Sequence, residues 1–109
     1  MRQTFDKLVR DGIPARLEAS GVEYEARIAS PTELRALLLA KLQEEVGELL
    51  GAADDADAVD EMADIREILA ALATQYGADE EEMRVRQCRK REARGGFDRG
   101  IVLRWTEMA

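Results

Sequence analysis

Histidine is absent from this sequence, and cysteine occurs once, as Cys88. The first absence removes imidazole as a general base and as a metal ligand. The second rules out an intramolecular disulfide, and with no histidine it also rules out a zinc site of the usual nitrogen and sulfur donors. Any metal must therefore be held by oxygen, which favours magnesium, manganese or calcium. Aromatic residues make up only 5% of the chain, so a core must be aliphatic, as suits packed helices. No apolar run approaches the length of a membrane span, and no signal-like stretch follows the N-terminal MRQTFDKLVR, so the expected location is the cytoplasm.

Hydrophobic residues are plentiful, at 46% of 109 residues, enough for one compact domain over 1–109. A domain of this size is marginally stable alone, and oligomerisation would bury more surface. Net charge is −7 but unevenly spread: residues 84–104 hold eight basic side chains against two acidic ones. Such a segment either meets an anion or forms a solvated helix face.

Residues 12–20 read as a short helix, with Asp11 as a candidate cap. VEYEARI, residues 22–28, alternates with the period of a half-buried strand. Ser30-Pro31-Thr32-Glu33 is a capping box with proline at the first helical position, predicting a long helix over 31–50. GAADDAD connects it to a second long helix, from about Ala56 to Tyr76, stopped by Gly77. Asp79 and Glu82 open a polar helix ending near Arg94. The short apolar run 101–103 could pair with 22–28. The expected fold is mainly all-α: a bundle of two long antiparallel helices and a shorter C-terminal one, with a small two-stranded β pairing, assembled as an oligomer.

Carboxylates interrupt the apolar faces of both long helices. On the first, Leu34, Leu38, Leu42, Val46 and Leu49 form the stripe, and Glu45 falls inside it by helical spacing. Glu48 lies at its edge and Glu44 flanks both. The second stripe is Met62, Ile65, Ile68, Leu69, Leu72 and Tyr76; Glu61 points with it and Asp64 borders it. A short connection makes the helices antiparallel neighbours, setting Glu45 and Glu48 opposite Glu61 and Asp64. Ionised carboxylates on an apolar seam repel, and burying each uncompensated costs several kcal/mol. Proton sharing, pairing with Lys or Arg, or divalent cations can relieve this. Lys41 and Arg66 are too few, so a divalent cation is expected. Asp54, Asp55, Asp57, Asp60 and Glu67 read as ordinary solvated charges.

EEVGE (44–48) followed by EMAD (61–64) resembles the ExxE…ExxD signature of the MazG-type all-α nucleoside triphosphate pyrophosphohydrolases. KLVRDGIP (7–14) and KREARGGFDRGIVL (90–103) resemble the opening and closing segments of a single-domain, phosphoribosyl-ATP pyrophosphohydrolase-like branch. One departure is Gly12, where that branch often carries a larger residue. The resemblance implies a dimer or tetramer that uses Mg2+, or Mn2+ in its place, to cleave a nucleoside triphosphate to monophosphate and pyrophosphate. It implies Glu45, Glu48, Glu61 and Asp64 as metal ligands, with Glu44 an additional ligand or base. Either Glu44 or Glu45 could activate water. Lys41, Lys90, Arg91 and Arg94 are candidate phosphate contacts; Lys7 and Arg10 are weaker ones.

Three other readings remain at this point. One narrows the substrate to phosphoribosyl-ATP. Another is a nucleotide- or metal-binding regulatory module without turnover. The third is a purely structural oligomer, for which Glu45 and Glu61 are poor choices. Nucleic acid is not an expected partner: the basic segment has few aromatics for stacking and the chain is acidic overall.

Overall fold

The computed structural model describes residues 1–109 as four helices without strands: α1 (Ile13–Ala19), α2 (Pro31–Leu50), α3 (Asp55–Gln75) and α4 (Glu80–Arg94). Pro31 opens α2 and Pro14 is the second residue of α1, both within the first turn, where a missing N–H costs no helical bond. Gly12 rather than Asp11 occupies the N-cap of α1, and no side chain caps that helix. Ser30 caps α2 by accepting a hydrogen bond from the Glu33 amide at 3.2 Å. The expected return bond from Glu33 is diverted, because both its carboxylate oxygens take the Arg27 guanidinium, at 2.7 and 2.6 Å. That bidentate pair holds the Glu33 carboxyl below the usual carboxylate range.

Asp54 caps α3 through the Asp57 amide at 2.8 Å, and Asp57 accepts from the Ala53 amide at 3.2 Å. Two aspartates read as plain solvated charges are thus the two halves of a reciprocal cap. Asp79 caps α4 through the Glu82 amide at 2.8 Å, while the Glu82 carboxylate pairs with Arg86. Gly77, at φ +80°, takes the left-handed turn that follows α3.

The four-residue connection 51–54 folds α3 back on α2, and this helical hairpin is the main tertiary contact. Leu38, Ile68 and Leu72 form its centre, with Leu8, Leu34 and Leu42 packed around them. α4 touches α3 slightly and makes no comparable contact with α2. No helix is long and apolar enough to cross a membrane.

The β pairing does not form. Residues 22–28 and 101–103 are irregular and exchange no backbone hydrogen bonds. Alternation stabilises a strand only where a sheet and a core receive its apolar side. Here Ile28 is 96% exposed and nothing covers it.

One hairpin can bury only one side of each helix. Leu39, Val46 and Leu50 of α2, and Val59, Met62 and Leu69 of α3, remain exposed, although Val46, Met62 and Leu69 belong to the expected stripes. Accessible surface is 10142 Å², against roughly 6,000 Å² for a compact monomer of this mass. The radius of gyration is 18.9 Å, against about 13 Å for a compact domain of this length.

Candidate functional site

Glu45 is the one buried charged residue of the chain, with 7% of its surface exposed. The helical phase of α2 puts it in line with Leu38 and Leu42, facing α3. Across the seam, α3 presents Glu61 and Asp64, one turn apart. Carboxylate oxygens of Glu45, Glu61 and Asp64 lie within 4.8 Å of one another, and so do those of Glu44, Glu45 and Glu48. Glu45 thus belongs to both triads and joins them.

Compensation within the cluster is incomplete. Lys41, one turn before Glu45, approaches its Oε1 at 3.7 Å. Arg10 donates to Asp64 Oδ1 at 2.6 Å. Two cations serve five acids, and Arg66 pairs with none of them. Glu45 Oε2 and Glu61 Oε2 are both buried without a hydrogen-bond partner. The Glu61 carboxyl is pushed up to about 7, first because its protonated form can donate to Glu45, then by burial and by the Glu48 charge. A proton on Glu61 supplies the donor that both orphaned oxygens lack, and a divalent cation placed between them would remove the need for it.

The geometry therefore brings together Glu44, Glu45, Glu48, Glu61, Asp64 and Lys41. It does not bring Lys90, Arg91 or Arg94 to them within one chain: Arg91 pairs with Asp98 at 3.3 Å, at the far end of α4. The Arg91 guanidinium lies over Gly96, where an added Cβ would stand 2.6 Å from it and move this exposed side chain aside. Arg10 was legible only as a weak anion contact; its pairing with Asp64 spans 54 positions and follows no local spacing rule.

An all-α hairpin with carboxylates facing each other across its seam defines an acidic centre suited to hard cations. The chain belongs to the phosphoribosyl-ATP pyrophosphohydrolase family, whose profile matches residues 5–87, and thereby to the MazG-like all-α pyrophosphohydrolases. The matched span takes in the N-terminal segment, both long helices and half of α4. Neither a curated protein nor a solved structure matches the chain.

Proposed function

We propose that this chain, as one domain over 1–109, is a divalent-cation-dependent pyrophosphohydrolase of the cytoplasm that cleaves phosphoribosyl-ATP to the corresponding monophosphate and pyrophosphate. The family's description favours that substrate over the wider class of nucleoside triphosphates expected from the signature alone. The observation that carries the reaction class is the pair of buried, unpartnered oxygens on Glu45 and Glu61 inside a ring of five acids.

The donor set fits Mg2+, with Mn2+ able to replace it: every donor is a carboxylate oxygen, and two of them have no other partner. Glu45, Glu48, Glu61 and Asp64 would hold the cation. Once bound, it supplies positive charge for phosphate oxygens and lowers the pKa of an attacking water. Glu44 is exposed and belongs to one triad only, which suits it to take the proton from that water; Glu45, buried and shared by both triads, suits a ligand role. Lys41 holds Glu45 in place from one side and leaves its remaining donors for a phosphate oxygen.

The working form is a homodimer or homotetramer. The excess surface and the second apolar stripes on α2 and α3 support this, because joining two hairpins along those stripes completes a bundle. In such an assembly Lys90, Arg91 and Arg94 of one copy could serve the carboxylates of another.

The test is ion-exchange product analysis with Mg2+ over phosphoribosyl-ATP, the common NTPs and dNTPs, dUTP and damaged nucleotides, with EDTA and Glu61→Gln controls. Monophosphate and pyrophosphate from phosphoribosyl-ATP, lost in both controls, are expected. Preference for an ordinary or damaged triphosphate would return the chain to a nucleotide-pool role. Binding without turnover on every compound would leave a regulatory module.

A further inference from the structure

The N-terminal segment 7–10 is not helical, and it contacts both long helices next to the acidic centre. Leu8 pins it there by packing on the Leu38, Ile68 and Leu72 cluster. On one side of that anchor, Lys7 lines a cavity of about 160 Å³ together with Asp6 and with Leu37, Ala40, Lys41 and Glu44 of α2. On the other side, Arg10 reaches α3 and binds Asp64. The segment therefore sets Lys7 against α2, in the cavity that Lys41 also lines, and Arg10 against α3.

We propose that Arg10 is a built-in counter-ion of Asp64 which a divalent cation displaces, and that the released guanidinium joins Lys7 and Lys41 in gripping the diphosphate portion of the substrate. This rests on reading the carboxylates as a cation site. Asp64 is tied to Arg10 by a single contact, with the side chains 58% and 42% exposed for Arg10 and Asp64 respectively. Such a pair is weak because solvent screens it. A divalent ion held by several carboxylates at once outcompetes it, while the guanidinium keeps its charge and its planar fork for phosphate oxygens. The cavity beside Glu44 brings two lysines, Lys7 and Lys41, together with Asp6 and the candidate base. Cation and anion binding are thereby coupled: the ion takes Asp64, and Arg10 is then free for phosphate.

The test uses the full chain, Mn2+ as the metal probe and inorganic pyrophosphate as the anion probe, comparing Arg10→Gln and Lys7→Gln with the parent. Free Mn2+ is followed by electron paramagnetic resonance without nucleotide, and pyrophosphate binding to the Mn2+-loaded protein by calorimetry. Arg10→Gln is expected to tighten Mn2+ binding about two- to fivefold, the order of a screened ion pair. It should also weaken pyrophosphate binding by about tenfold, as for a lost charge-assisted contact. Lys7→Gln should weaken pyrophosphate binding and leave Mn2+ affinity nearly unchanged. Unchanged or weaker Mn2+ binding in Arg10→Gln overturns the proposal. So does equal tightening in Lys7→Gln, which would reduce the effect to net charge, or unaltered pyrophosphate binding in Arg10→Gln. A parent chain that binds no Mn2+ overturns the cation-site reading itself, a result distinct from all of these.

Discussion

Glu45 on α2 and Glu61 on α3 face each other across the helical seam, their carboxylates within 4.8 Å, and each keeps one buried oxygen without a partner. Such a pair is costly unless a proton or a cation lies between its members, since like charges in a desolvated seam repel. Replacing Glu61 by Gln removes the charge while keeping the shape. Glu61→Gln should retain helical content and, in EDTA at pH 8, melt at or above the parent's temperature. Its Mn2+ affinity should fall by about a hundredfold. Circular dichroism and calorimetry check the two halves; a variant that binds Mn2+ normally would remove Glu61 from the site.

The same pair sets a pH dependence. Folded Glu61 holds its proton up to about 7, whereas an unfolded glutamate loses it near 4.5. Folding therefore takes up a proton in that window. The contribution of Glu61 is fully present below about 4.5 and is lost as pH rises through about 7. Urea denaturation in EDTA should show stability from this group declining between those values, and saturating Mg2+ at pH 8 should restore it. A Glu61→Gln variant should lack this component of the decline.

Exposed apolar stripes on both long helices give a prediction about mass. Light scattering coupled to gel filtration should report at least twice the 12.2 kDa of one chain. The melting temperature should rise with protein concentration, as association couples to folding. Met62→Glu, on the exposed side of α3, should shift the mass toward one chain and lower the melting temperature. A concentration-independent melt at monomer mass would refute the assembly.

Capping supplies a prediction independent of chemistry. Asp54→Ala removes the acceptor for the Asp57 amide and should cost about 1 kcal/mol in urea denaturation at fixed concentration. Mn2+ affinity of the folded variant should change little.

Much of the hairpin was legible in the sequence because its signals are local. Ser30 and Pro31 mark the start of α2, Gly77 marks the stop after α3, and three-and-four spacing by itself places Glu45 among leucines. The misreadings also have physical reasons. Alternation in 22–28 describes a strand only if a neighbour supplies hydrogen bonds, and in this chain none does. Asp54 and Asp57 looked like solvated charge because a cap made of two aspartates differs little in composition from a polar loop. Met62, Leu69 and Tyr76 carry the right period for burial, yet a single partner helix covers too narrow an arc to bury them. Arg10 reaches Asp64 through the path of the N-terminal segment, and no periodicity encodes that path.

From Glu44 to Asp64 the five acids occupy one short stretch of chain, closed by the four-residue turn 51–54. Contacts so near in sequence form early, since little loop entropy opposes them and the first turns of two helices suffice to begin. The order of events in making this protein then differs from that of a site gathered from distant strands. The acidic hairpin can zip up from its turn, and on the proposed reading would be ready for a cation, before the N-terminal strap has found its place. In refolding, a chelator should accordingly slow the earliest resolvable phase, whereas dilution should delay only the last.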